Sequence, residues 1–280
     1  MTELRSPSVQ TPKHEAASAD LRSFATRIDH TLLRPDATPE EIQRLCSEAI
    51  HWGFATVCVN SAFSKLAAEL VRATAVGVST TIAFPFGASS TSAKLREAAQ
   101  AVADGATELD VVIEIGWLKA KRDDLVAAEL KAIRAEARGH TLKVIIETGL
   151  LTDEEKARGA LLAVAAGAEF VKTSTGYAKL GDQLGDVTLL RKLLPPGIRI
   201  KVSGGIRTYA GARALLDAGA DRLGSSHGRK RIEDLAAGLR ATRPDCVCSR
   251  LLPRARPAHN PPRTCFRRCA PSPPPPPGGR

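Results

Sequence analysis

The chain has 280 residues, 43% of them hydrophobic, 4% aromatic and 25% charged, with a formal net charge of +10. Residues 241–280 hold eight Arg and one Asp, which leaves +3 for residues 1–240 and excludes a nucleic-acid-binding surface over the body. No apolar stretch reaches transmembrane length and the first twenty residues lack the apolar core of a signal peptide, so a cytoplasmic protein with no membrane partner is expected.

Taken in chain order, residues 1–17 read as a disordered lead and 18–27 as a short helix. From Ile28 onward, apolar runs alternate with amphipathic stretches. Strands are predicted at 28–33, 54–59, 78–84, 107–113, 142–147, 169–173, 198–202 and 221–224. Helices are predicted near 38–51, 61–75, 91–103, 121–138, 152–166, 185–194, 208–218 and 230–240. Thr38-Pro39-Glu40-Glu41 sets a cap, a first-turn proline and two acids in order, and Thr152-Asp153-Glu154-Glu155 does so without the proline. Gly105, Gly167 and Gly219 each stop a helix just before a strand, as residues that accept positive φ. Eight βα units in succession predict an α/β protein, a (β/α)8 TIM barrel over 18–240. An open doubly wound sheet is the runner-up, but its Gly-rich turn after the first strand is absent.

Beyond residue 240 the composition changes. Residues 241–280 carry eleven of the eighteen prolines and four of the six cysteines without apolar periodicity, and predict a disordered Arg/Pro/Cys-rich tail. Its cysteine spacing fits no zinc pattern. A dispensable, frame-shifted or non-native extension is preferred to a nucleic-acid-binding one, and reduced thiols are expected in the body.

Two lysines stand out. Lys172 closes Glu169-Phe170-Val171-Lys172 before Thr173-Ser174-Thr175-Gly176, and Lys201 closes Ile198-Arg199-Ile200-Lys201 before a Ser-Gly-Gly loop. Barrel strands present their C-terminal residues to substrate. Two lysines on neighbouring strands, with Asp110 on the fourth strand, therefore enter one pocket. Burial and a second ammonium lower an amine's pKa and yield a nucleophile, which is the chemistry of a Schiff-base enzyme. The competing structural reading, a lysine that merely pairs with a buried carboxylate, suits one such lysine better than two. Ser203-Gly204-Gly205 and Gly224-Ser225-Ser226 follow the seventh and eighth strands, where barrels bind phosphate on backbone N–H groups. Cys58 reads as a small buried strand residue rather than a substrate-lining one.

Phe170 to Gly176, Lys201 with Gly204-Gly205, Glu108 to Gly116, Leu142 to Gly149 and Ile28-Asp29-His30-Thr31-Leu32-Leu33 together resemble the deoxyribose-phosphate aldolase family, in order and over about residues 22–240. The resemblance implies a class I aldolase of deoxyribose phosphate catabolism that needs no cofactor and no metal and acts on phosphosugar and aldehyde substrates; the sequence does not fix the oligomeric state, for which a homodimer is one candidate. The resemblance makes Lys172 the Schiff-base lysine, Lys201 the neighbour that perturbs its pKa, and Asp110 the acid/base. It adds Gly176 to the phosphate loops, and matches Asp29, Thr31, Cys58 and Lys143 to further polar positions of the pocket. The chain departs from the pattern twice. His227 stands where a second small hydroxyl residue is common, and no tyrosine follows Tyr209 to serve as the family's C-terminal one. Another lysine Schiff-base aldolase, a transaldolase-like enzyme, and a non-catalytic phosphosugar-binding barrel are the alternatives.

Overall fold

A computed structural model describes residues 12–241; of the expected disordered lead over 1–17 and tail over 241–280, residues 1–11 and 242–280 lie outside the described residues, while 12–17 and 241 are helical rather than disordered. Eight parallel strands close in sequence order, the first pairing with both the second and the eighth, so the architecture is a (β/α)8 barrel.

The described part opens with α1 (Pro12–Ala25), which starts six residues before the predicted helix. There follow β1 (Ile28–Leu32), α2 (Pro39–Trp52), β2 (Thr56–Asn60), α3 (Ser64–Val71), β3 (Gly77–Ile82), α4 (Thr91–Ala103) and β4 (Glu108–Val112). The second half holds α5 (Ile115–Lys119), α6 (Asp123–Glu136), β5 (Thr141–Ile145), α7 (Asp153–Ala165), β6 (Phe170–Lys172) and α8 (Gln183–Leu193). It ends with β7 (Arg199–Ser203), α9 (Tyr209–Asp217), β8 (Arg222–Ser225) and α10 (Gly228–Ala241). Among the described residues no helix is long and apolar enough to cross a membrane.

Local chemistry places these boundaries. Thr38 and Thr152 both form capping boxes, with Glu41 and Glu155 respectively, so two orphan helix donors are satisfied at each start. Gly105, Gly167 and Gly219 take φ of 95°, 86° and 112°, which ends α4, α7 and α9 and turns the chain into the next strand. The expected helix over 121–138 is the single α6, and a short helix that the sequence did not predict, α5, precedes it; its Gly116 N–H donates to the Glu114 side chain, and Lys121, at φ 55°, separates the two helices. The expected helix over 61–75 is divided into a 3-10 turn, Ser61–Phe63, and the shorter α3.

Strand alternation decides what each face does. Val57, Val59, Val78, Leu109, Val111, Leu142, Val144, Val171, Ile200, Val202 and Leu223 join the core shared with the helices. The residues between them are largely polar and fill the barrel. Lys201 on β7 pairs with Asp110 on β4, and Lys143 on β5 pairs with Asp29 on β1. Those strands are not neighbours, so the contacts cross the lumen.

Candidate active site

β6 ends at Lys172, whose side chain is buried at the base of a cavity of about 690 Å³ that opens at the C-terminal ends of the strands. Its Nζ donates to Asp110 Oδ2 at 2.8 Å and lies 5.8 Å from the Phe84 ring centre. Lys201 differs from the expectation that it ends its strand. β7 continues through Ser203, so Lys201 sits mid-strand, in register with Lys172 and beneath the cavity floor. Asp110 is also mid-strand, in register with Lys143. Alternation still aims all of them at the lumen.

Asp110 organises the interior. Oδ2 accepts from Lys172 and from Lys201 (2.6 Å), while Oδ1 accepts from Lys143 (2.7 Å) and from the Ser79 hydroxyl (2.8 Å). Lys201 also forms a 2.5 Å ion pair with Asp29, and Lys143 one of 2.5 Å with Glu108. Arg222, at the start of β8, pairs with Asp29 at 2.6 Å and lies 3.6 Å from Glu108.

These contacts separate the amines chemically. Burial holds the Lys172 pKa below the ordinary lysine value; the Asp110 carboxylate opposes that shift and the Lys201 charge reinforces it. Burial pulls on Lys201 in the same direction, but Asp110 and Asp29 outweigh it and the pKa rises above the ordinary value. Lys143 is raised too, burial being overcome chiefly by Asp110. Burial would raise the Asp110 carboxyl, yet the three ammonium groups hold it well below the usual carboxylate range. One interior lysine is thus eased toward neutrality while two stay charged.

The cavity wall takes Thr31, Lys172, Gly176, Gly204, Gly205, Gly224, Ser225 and Ser226 from the expected residues. Asp29, Cys58, Asp110, Lys143 and Lys201 lie below it, buried in the barrel. Thr31 donates its hydroxyl to the Asp29 carbonyl. Gly204 and Gly205 have φ of 88° and 63° and pass close to Leu180, with the Gln183 amide donating to the Ser203 and Gly204 carbonyls. Gly224 lets β8 approach β7, since a Cβ there would fall 2.2 Å from Ser203 Oγ. His227 borders the cavity, its Nδ1 within 3.0 Å of Ser226 Oγ, just before α10 begins.

Sequence reasoning assigned no role to several residues here. Ser79, Glu108 and Arg222 complete the interior network, and each is one step of an alternating strand, which was the available signal. Arg207 brings a cation to the cavity rim. Tyr177 packs edge-on against Phe84 at 5.4 Å and donates its hydroxyl to the Leu33 carbonyl, bridging from the loop after β6 to the end of β1. Nothing local in Gly176-Tyr177 marks that reach. Among the described residues no group of three or more His, Cys, Asp and Glu is disposed to hold a metal ion.

The profile of the DeoC/LacD family aldolase matches residues 24–234. The deoxyribose-phosphate aldolase of Coprothermobacter proteolyticus is 49% identical over 208 residues, covering 74% of this chain and 95% of its own. That of Geobacillus sp. is 48% identical over 216 residues, covering 77% and 97%. Among solved structures, an aldolase called QR15 superimposes with a TM-score of 0.75 at 38% identity, over 80% of this chain and 99% of that one. The deoxyribose phosphate aldolase of Aeropyrum pernix, described as a unique tetramer, does so with 0.70 at 32% identity, over 80% and 97%.

Proposed function

The chain belongs to the DeoC/LacD family of aldolases, and we propose that it reversibly cleaves 2-deoxy-D-ribose 5-phosphate to acetaldehyde and D-glyceraldehyde 3-phosphate through a Schiff base on Lys172. The observation that carries the assignment is the position of Lys172. It is the interior lysine that touches the cavity, with an amine eased toward neutrality beside a charged Lys201.

The neutral amine attacks the open-chain C1 aldehyde, and loss of water leaves an iminium. A base removes the C3 hydroxyl proton, the C2–C3 bond breaks, and its electron pair moves into the iminium. D-Glyceraldehyde 3-phosphate departs and an enamine of acetaldehyde remains on Lys172. Protonation at C2 and hydrolysis release acetaldehyde and restore the amine. Asp110, within reach of both Lys172 and Lys201, moves these protons directly or through water, and Lys201 supplies the fixed positive charge that keeps Lys172 nucleophilic.

The loops after β6, β7 and β8 hold the 5-phosphate. Gly176, Gly204 and Gly205 expose backbone N–H groups without side-chain obstruction, and Ser225, Ser226 and His227 supply donors ahead of the α10 N-terminus. Cys58, Asp29 and Lys143 support the pocket from beneath. A catalytic unit within 18–240, a homodimer and a cytoplasmic setting complete the proposal. The buried free thiols of Cys46 and Cys58 agree with the last, and the tetrameric A. pernix relative indicates that self-association occurs among similar proteins.

Borohydride reduction in the presence of acetaldehyde tests the assignment. An ethyl group on Lys172, together with release of glyceraldehyde 3-phosphate from deoxyribose 5-phosphate, is the expected result; label confined to another lysine would refute it.

A further inference from the structure

Three carboxylates, Asp29, Glu108 and Asp110, meet four basic groups in the barrel interior: Lys143, Lys172, Lys201 and Arg222. With all four protonated, the network carries one positive charge too many for a region this deeply buried. The contacts show which group gives way. Lys143 lies within ion-pair distance of all three carboxylates, Lys201 of Asp29 and Asp110, and Arg222 of Asp29 and Glu108. Lys172 has Asp110 alone, and Asp110 is shared with two other lysines. Charge neutrality is therefore reached when Lys172 loses its proton.

Glu108 and Arg222 occupy the first positions of β4 and β8, at the end of the barrel remote from the cavity. We propose that Arg222 and Glu108 are positioning residues that set the proton occupancy of Lys172 from that far end, through the charge count of one closed network. The coupling is a continuous row of ion pairs: Arg222 to Asp29 at 2.6 Å, Asp29 to Lys201 at 2.5 Å, Lys201 to Asp110 at 2.6 Å, and Asp110 to Lys172 at 2.8 Å. Glu108 joins the same row through Lys143, at 2.5 Å. Burial keeps water from screening these charges, so adding or removing one is felt along the row.

The surroundings of each end are accounted for. Arg222 faces Asp29 from β1 and Glu108 from β4, is in register with Lys201 on β7, and stacks on Phe170 of β6, to which Arg199 also stacks. Lys172 faces Asp110 from β4 and the charge of Lys201 from β7, the Cys58 thiol from β2, and the Phe84 ring. Arg222 keeps its charge at any working pH, so it acts as a fixed counterweight.

This proposal rests on Lys172 being the Schiff-base lysine, and its test separates the two. The experiment is the pH dependence of kcat/KM for deoxyribose 5-phosphate and of borohydride trapping by acetaldehyde, in the full chain. Arg222→Gln removes a cation, keeps the proton on Lys172, and should move the acid-limb midpoint up by about one pH unit, the order expected for one charge at an effective dielectric of about 20. Glu108→Gln should move it down by a similar amount, Arg222→Gln with Glu108→Gln should restore it, and Arg222→Lys should leave it near wild type. Midpoints unchanged in both single variants, with rate or Tm merely lowered at every pH, overturn the proposal while leaving Lys172 in place. If Arg222→Gln does not fold, Glu108→Gln decides alone: a downward shift supports the proposal and no shift refutes it. Failure of wild type to label Lys172 sinks the Schiff-base assignment instead.

Discussion

Lys172 and Lys201 face one another in register on β6 and β7, and their ammonium groups converge on the same oxygen, Asp110 Oδ2, at 2.8 and 2.6 Å. One carboxylate oxygen cannot compensate two buried ammonium groups equally. Lys201 has Asp29 as well, so it keeps its proton and the strain falls on Lys172. The asymmetry between two chemically identical side chains comes from the second carboxylate.

Removing Lys201 should therefore undo the activation. Lys201→Leu deletes a positive charge that disfavours protonated Lys172 and frees Asp110 to pair with it, and both effects raise the Lys172 pKa. The acid limb of kcat/KM should move to higher pH, and turnover at neutral pH should fall about 100-fold or more, within the range for loss of an acid–base partner. Lys201→Arg should retain the limb's position. A pH–rate profile for the Leu variant that superimposes on wild type would refute the coupling.

Asp110→Asn should divide two activities that fall together in most damaged enzymes. Without the carboxylate, Lys172 loses the charge that favours its protonated form, so ethyl labelling with acetaldehyde and borohydride should persist at neutral pH. Cleavage of deoxyribose 5-phosphate should drop by roughly 100-fold or more because proton movement is lost. Stability should also fall by about 3–5 kcal/mol, since Lys143 and Lys201 keep buried charges with fewer partners. The carboxyl is depressed in the folded state, so its contribution is present above the unfolded value near pH 4 and disappears as pH falls through the folded one. The Tm gap between wild type and variant should be wide at pH 7 and should narrow only in strong acid.

The barrel was legible in the sequence because its signals are local. Capping boxes at Thr38 and Thr152 and the glycines 105, 167 and 219 mark helix ends without reference to the rest of the fold. Lys172 was legible because its strand stops there and a Ser/Thr/Gly loop begins. Beyond Asp110 and Lys201, the network beneath it was not, because its bonds join residues far apart in sequence, either across the lumen or between the first and last strands, as Asp29 and Arg222, 193 positions apart, show. Arg199-Ile200-Lys201-Val202-Ser203 displays the alternation that sends Lys201 inward, but no spacing tells which carboxylate will meet it. The placement of Lys201 at a strand end failed for a related reason: apolar content marks where β7 runs, and Ser203, the polar residue that ends it, reads as loop.

Truncation after Ala241 should leave kcat and KM within about twofold of the full chain, because the described barrel ends with α10 and the interior network lies wholly within β1 to β8. Steady-state assay of both chains, with salt titration to remove any effect of the eight tail arginines, checks this. Loss of activity on truncation would give the tail a role that the barrel does not require.

The loops proposed to hold the phosphate yield the most selective expectation. Gly205 holds φ 63°, and a Cβ there would lie 2.8 Å from Leu180 Cδ1, so Val is resisted by backbone conformation and by contact. The loop must shift, and its N–H groups leave the positions from which they would meet an anion. Gly205→Val should raise KM for deoxyribose 5-phosphate by about 10-fold or more, while the slower turnover of unphosphorylated deoxyribose changes little, because Lys172 and Asp110 lie on other strands. Gly205→Ala, which keeps the unfavourable φ with less bulk, should give a smaller effect in the same direction. The contrast between substrates is the decisive reading. A loop that only supports the fold would lower both activities together as Tm falls, and equal losses on the two sugars would remove the phosphate from this end of the barrel.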